Sequence, residues 1–377
     1  MALKAGSRAY KMKHFVIPHT LDSISLLGLG VNKTGNKSSN TPETEQNRIS
    51  FYHEAMDLGV NFFDTAELYG GGYSEEILGR ALDSTRRHDA FICTKFNARN
   101  SHRKLLTKSL EDSLKRLKTD YIDFYLAHWP NPNVPFEDLI ESLEKFRSDG
   151  KIKYYGLSNA TSHELKRFKR CNNNNFFVVE NEYNLLDRDI EREILPFVKG
   201  ENNLFLAYSP LIQGIPLKSN NKIIKLQEKY NCSIQQLYLA WVKQPNVLSL
   251  VRTTNKTHLK DNIRAMDITL SSEDRKVLEN CFTPVKIEIE VDKIQIDQRS
   301  YTTQEEALEN QNDLIPSPLL LSQRLNKGLT FPPLRVKKEG ERYKIVNDFY
   351  MAEIKKYWAW RISFDNKKIE AYVFDDL

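Results

Sequence analysis

Eight short apolar runs, each rich in β-branched or aromatic residues and each followed by a longer segment of helical periodicity, constrain this chain more than any other feature. They cover residues 23–30, 60–65, 90–96, 121–128, 152–158, 176–183, 204–209 and 247–253. Such alternation is the mark of repeated βα units and a parallel sheet. Between the third and fourth runs, Leu106, Leu110, Leu114 and Leu117 make one helical stripe. Eight units recurring about every 30 residues predict an α/β fold of the TIM (β/α)8 barrel type. The alternative, an open doubly wound sheet, normally shows a G-x-G-x-x-G turn after an early strand. Gly28-Leu29-Gly30 begins that pattern without its third glycine, so the barrel is the reading retained.

The chain has 377 residues, more than one hydrophobic core usually serves, so a large domain over 1–283 and a small one over 284–377 are expected. Lys and Arg number 55 against 50 Asp and Glu, with no long basic run interleaved with aromatics, which speaks against a nucleic-acid surface. The four cysteines, Cys93, Cys171, Cys232 and Cys281, lie far apart and form no C-x-x-C pair; neither a metal site nor a disulfide framework is indicated. The amino terminus is basic but lacks an apolar stretch behind it, and no apolar run reaches the roughly 18 residues of a membrane span. A cytoplasmic protein without a membrane partner is expected.

In a TIM barrel the chemistry sits at the carboxyl ends of the strands. There the apolar runs are broken or ended by Asp64, Lys95, His128, Ser158 with Asn159, Glu180 with Glu182, Tyr208 with Ser209, and the stretch from Arg252 to Asn255. Tyr69 follows Asp64 in the same loop. A phenol with an ordinary pKa of about 10 is a poor proton donor at neutral pH, but an adjacent ammonium favours its ionised form. Lys95 can supply that charge, Asp64 can hold Lys95, and His128 can donate to a substrate oxygen. The glycines Gly70 to Gly72 are not followed by G-K-[ST] and read as a turn.

The residues themselves then carry a resemblance. Asp64-Thr65-Ala66-Glu67-Leu68-Tyr69-Gly70, Leu78-Gly79-Arg80-Ala81-Leu82, Thr94-Lys95, Leu126-Ala127-His128-Trp129-Pro130, Gly156-Leu157-Ser158-Asn159 and Ala207-Tyr208-Ser209-Pro210-Leu211 resemble the motifs of aldo-keto reductases over residues 14–283. The resemblance implies reduction of a small-molecule carbonyl compound (an aldehyde, ketone or sugar) by hydride from NADPH, with Asp64, Tyr69, Lys95 and His128 catalytic and Tyr69 the general acid. It implies that Ser158 and Asn159 bind the nicotinamide amide, that Tyr208 stacks on the ring, and that Ser209 to Gly214, Leu211 included, wrap the pyrophosphate. Arg252, Thr253, Thr254, His258 and Asn262 fall where the family grips the adenosine end, and Trp129 lines the substrate pocket. Two positions depart from the pattern. Glu180 stands where a glutamine usually contacts the carboxamide, and His258 where many members have arginine, which makes the preference for NADPH moderate. The loop after Gly214 is also short.

After Pro284 the texture changes. Strands are expected at 285–294, 334–336, 342–346 and 369–374 and a helix at 314–325, a small α+β domain. The order of these pieces resembles the ParB and sulfiredoxin-like fold, but Asn347-Asp348-Phe349-Tyr350-Met351 lacks the glycine and arginine of that group's phosphate-contacting motif. A packing module, or a surface for homo-oligomers rich in Tyr357, Trp358, Trp360, Phe364 and Tyr372, is expected there. The alternatives are an NADPH-binding sensor signalling through this domain, and a bifunctional enzyme whose second domain handles nucleotide or phosphate.

Overall fold

The computed structural model describes residues 11–32, 37–82, 85–173, 175–212, 220–282, 285–290, 293–295, 334–345 and 368–373. Two short strands come first: β1 (His14–Val16) and β2 (Ser23–Ser25) pair antiparallel, with Phe15 opposite Ile24. Eight parallel strands then close into a barrel: β3 (Leu27–Gly30), β4 (Phe62–Asp64), β5 (Phe91–Phe96), β6 (Ile122–Ala127), β7 (Ile152–Ser158), β8 (Val178–Glu182), β9 (Leu204–Tyr208) and β10 (Val247–Val251). Closure is made by β10 against β3, where Ser249 pairs with Leu27 and Val251 with Leu29.

The expected first strand, 23–30, is therefore two. The backbone of residues 23–25 pairs with β1, and the Ser25 hydroxyl donates to the Leu27 carbonyl at 2.7 Å, turning the chain before the barrel strand begins. Ile17 and Ile24 are fully buried in one cluster with Phe62, Phe91, Leu204 and Leu248, residues at the amino ends of barrel strands. The hairpin thus plugs the bottom of the barrel.

The outer layer is α1 (Pro42–Asp57), α2 (Tyr73–Ala81), α3 (Arg103–Leu117), α4 (Phe136–Ser148), α5 (Ser162–Cys171), α6 (Ile194–Gly200), α7 (Asn221–Tyr230), α8 (Ile234–Val242), α9 (Lys256–Ala265) and α10 (Ser272–Cys281). Several starts follow from local chemistry. Thr161 with Glu164 and Ser233 with Gln236 form reciprocal capping boxes that satisfy otherwise orphaned N–H groups of α5 and α8. The leucine stripe of α3 is buried as expected and faces the barrel wall, and α3 ends at Lys118 in the left-handed region.

Glycines of the barrel serve close packing. A Cβ on Gly28 would lie 2.8 Å from both Leu250 Cδ2 and Phe62 Cδ1, so the partial Gly28-Leu29-Gly30 pattern answers to the crowded interior. On Gly156 a Cβ would come within 1.8 Å of the Val178 carbonyl oxygen, inside the β7–β8 ladder.

The remaining described strands, β11 (Val285–Glu290), β12 (Ile294–Gln295), β13 (Leu334–Glu339), β14 (Arg342–Ile345) and β15 (Lys368–Val373), form their own mixed sheet in the order β11-β15-β13-β14-β12. The helix expected at 314–325 and Tyr357, Trp358, Trp360 and Phe364 lie outside the described residues. Among the described residues no helix is long and apolar enough to cross a membrane.

Because the obstruction at Gly156 is backbone, Gly156→Ala is expected to cost about 3 kcal/mol or more, at the upper end for overpacking. Thermal denaturation checks this, and an unchanged Tm would contradict the packing.

Candidate active site

Strand ends bring the polar groups together. Asp64 closes β4, Lys95 sits in β5 and Glu180 in β8, all with side chains inside the barrel. Lys95 is 0% exposed. Its ammonium contacts Asp64 Oδ1 directly and lies 3.1 Å from the Thr65 carbonyl and 3.2 Å from Glu180 Oε1. An ammonium removed from water costs several kcal/mol unless paired and hydrogen-bonded, and these oxygens meet that requirement.

Around this cation stand the other expected residues. Half-buried Tyr69 places its ring centroid 5.6 Å from Lys95 Nζ and meets His128 edge to face at 5.6 Å. The His128 N–H of the backbone donates to the Phe96 carbonyl, extending β6 toward the mouth, and half-buried Trp129 follows. Asn159, in the left-handed region at φ +57°, donates through Nδ2 to the His128 carbonyl and to Ser158 Oγ. Its Oδ1 accepts from the Tyr208 hydroxyl at 2.7 Å. Ser158, Asn159, His128 and Tyr208 are thus one hydrogen-bonded group spanning the ends of β6, β7 and β9. Ser209, at φ +54°, is a second non-glycine residue held left-handed in the mouth, and such positions concentrate where ligands are held.

A cavity of about 680 Å³ runs from Asp64 along Tyr208, Ser209 and Leu211 to Arg252, Thr253, His258 and Asn262. Pockets of this size hold cofactor-sized ligands. The amino ends of α8 (Ser233 to Gln236) and α9 open onto it, as does Asp261. Sequence reasoning did not select Ser233, Gln235, Gln236 or Asp261. The Ser-x-x-Gln capping signature at 233–236 was the available signal, since it marks the start of the helix that leads into the eighth barrel strand. Thr254 is exposed and outside the cavity wall, and Gly214 lies outside the described residues. Ser158, Asn159, Trp129 and Glu180 do not line the cavity, and of the four expected catalytic residues Asp64 lines it while Tyr69, Lys95 and His128 do not.

Burial sets the protonation states. His128 is pushed down to about 3 by desolvation and then by the Lys95 charge, and its Nδ1 is buried without a hydrogen-bond partner. Burial raises Asp64 above its ordinary value against the pull of Lys95, and raises the Cys93 thiol strongly. Asp64, Cys93 and Glu180 bring potential metal-ligand atoms within 4.8 Å of one another, but the Lys95 ammonium on both carboxylates already supplies the cation there.

An eight-stranded parallel barrel with a buried Asp–Lys pair, tyrosine and histidine at its mouth defines a class of oxidoreductase scaffold, and comparison with known proteins identifies it. The profile described as the aldo/keto reductase family matches residues 26–282; the chain belongs to that family and is an aldo-keto reductase. Methylglyoxal reductase YeaE of Escherichia coli (strain K12) is 28% identical over 257 residues, covering 65% of this chain and 88% of its own length. A thermostable aldo-keto reductase crystallised with the inhibitor epalrestat superposes with a TM-score of 0.67 at 33% identity, covering 72% of this chain and 100% of its own. The aldo/keto reductase of Klebsiella pneumoniae, crystallised with NADP and acetate, superposes with a TM-score of 0.66 at 28% identity, over 72% of this chain and 95% of its own.

The depressed His128 makes a pH prediction. The folded protein keeps it neutral while the unfolded chain protonates it below its ordinary 6.5, so stability is lost as pH falls from 6.5 toward about 3. The imidazole proton resonances of His128 are expected to stay flat down to about pH 5. A resonance that titrates near 6.5 would show instead that the ring is solvated.

Proposed function

We propose that this protein is an NADPH-dependent reductase of a carbonyl compound (an aldehyde, ketone or sugar), with Tyr69 as general acid. The observation that carries the reading is the buried Asp64–Lys95 contact beneath Tyr69 and His128, with Asp64 also in the wall of the neighbouring cavity. The far end of that cavity, with the Arg252 guanidinium and the amino ends of α8 and α9, has the donor chemistry for an anionic dinucleotide. The chemistry that a bound NADPH supplies is a hydride for the carbonyl carbon. Tyr69 delivers its phenolic proton to the carbonyl oxygen, and Lys95 stabilises the phenolate left behind. Asp64 keeps Lys95 in place. Neutral His128 donates an N–H to the same oxygen, polarising the carbonyl as charge develops on it. The product is the alcohol, and Tyr69 recovers its proton from solvent through the mouth.

Ser158, Asn159 and Tyr208 would hold the nicotinamide, and Ser209 and Leu211 the pyrophosphate, with Gly214 assigned to the same role by its place in the sequence. Thr253, His258 and Asn262 of the cavity wall, with Thr254 beside them in the chain, would hold the adenosine end, and Trp129 would contact the substrate. The protein acts in the cytoplasm on this reading. Residues 284–377 are proposed as a second, ParB/sulfiredoxin-like domain and a surface for homo-oligomers; the separate five-stranded sheet of the described residues supports a second domain.

Titration by fluorescence should show NADPH binding more tightly than NADH. Arg252→Ala is expected to weaken NADPH by about 1.5 to 3 kcal/mol, the worth of a charged hydrogen bond, and NADH little. Tyr69→Phe should lower kcat on small aldehydes by about 10²- to 10⁴-fold with binding kept. Failure of both dinucleotides to bind at millimolar concentration would defeat the proposal. For the second domain, light scattering should show an oligomer for the full chain.

A further inference from the structure

Glu180 has a place in this site that the hydride-transfer reading does not use. It is 3% exposed, its Oε1 is 3.2 Å from Lys95 Nζ, and its Oε2 is buried with no hydrogen-bond partner. An ionised carboxylate in such a position normally fills its lone pairs with donors, and none reaches Oε2, whereas a neutral Glu180 can donate its O–H to the adjoining Asp64 carboxylate. Charge balance says the same. Lys95 brings one positive charge, and Asp64 in direct contact already balances it; a second ionised carboxylate would leave the cluster net negative where the dielectric is low.

The charged and titratable groups facing Glu180 across the barrel are Asp64 from β4 and Cys93 and Lys95 from β5, with Tyr69 and His128 beyond Lys95. Its neighbours in the sheet, Ser158 on β7 and Leu206 on β9, carry no charge. Lys95 is thus the single cation in this group, and Asp64 is the carboxylate nearer to it.

We propose, building on the reductase reading above, that Glu180 is a positioning residue for Lys95 that works as a neutral carboxylic acid and turns the site off when it ionises. As the neutral acid its carbonyl oxygen accepts from Lys95, and its hydroxyl can donate, as the amide of glutamine would. Burial first, and the charge of Asp64 second, push this carboxyl up to about 8, which puts the change just above neutral pH. On ionisation the O–H proton leaves to solvent. The new carboxylate competes with Asp64 for Lys95 and adds negative charge beneath Tyr69, so the phenol gives up its proton less readily. The proton lost by Glu180 is not the one delivered to substrate.

The test has two arms. The first reads Glu180 in the protein without cofactor or substrate, by infrared titration from about pH 6 to about pH 10. A protonated-carboxylic-acid band that disappears across that range, and whose lost portion is missing from Glu180→Gln, is expected. No such difference between the two proteins would overturn the proposal. The second arm follows kcat/KM for reduction over the same range. The wild type should lose about tenfold per pH unit above the ionisation of Glu180. The fall should move up by about one unit or more in Glu180→Gln and persist in Glu180→Asp, which keeps an ionisable acid. Superimposable profiles for wild type and Glu180→Gln would also overturn it. Failure of the underlying reading looks different: turnover would survive Tyr69→Phe while the infrared arm still reports on Glu180.

Discussion

A lysine ammonium held wholly out of water is the interaction around which this structure is arranged. Lys95 can exist there as a cation only because Asp64, Glu180 and the Thr65 carbonyl surround it, and those three oxygens come from two other strands and a strand end. Their meeting requires a closed barrel. In an open sheet β4 and β8 would be several strands apart, whereas curvature brings both onto β5 across a shared interior. The apolar cluster of Phe62, Phe124, Leu126, Val178 and Leu248 below the cation keeps the dielectric low, which makes each charge there consequential. Fold and chemistry are coupled through this cost of burial: replacing Asp64 would leave the buried charge of Lys95 uncompensated, a change worth several kcal/mol.

The mouth is built differently from the interior. Its residues are tied to one another by neutral hydrogen bonds, from the Tyr208 hydroxyl to Asn159 and from Asn159 to the His128 carbonyl. Asn159 and Ser209 hold left-handed backbones that side-chain and loop bonds maintain; the Asn184 side chain, for example, donates to the Ser209 carbonyl. Rigid placement of several side chains from different strands is what lets the mouth select a geometry for its ligand.

Much of this is legible in the sequence, for definite reasons. The barrel strands announced themselves by apolar runs at regular spacing, and Asp64, Lys95 and His128 stood out because each breaks or ends such a run. The hairpin was hidden, since residues 23–30 read as one continuous strand and nothing in a three-residue segment such as 14–16 reports its pairing. The contact between Glu180 and Lys95 was hidden for another reason: the two are far apart in sequence, and only the curvature of the sheet aims them at one point. The lining role of the α8 start was written in a capping box whose position relative to the cavity depends on the turn before it. Alternation after Pro284 signalled strands, and β11 to β15 lie there, with the expected 285–294 divided between β11 (to Glu290) and β12 (from Ile294), which pair with different partners.

The hairpin at the bottom has a consequence for proton traffic. With Ile17 and Ile24 fully buried at the amino end of the barrel, the described residues close the way for water to the buried acids from below. Every proton gained or lost by Asp64, Lys95 or Glu180 therefore crosses the mouth, past Tyr69. Once a ligand covers that opening, the number of protons inside is frozen until it leaves. The protonation state that governs a given turnover is then the one captured at the moment of binding, and a pH jump made afterwards is felt only by the next cycle.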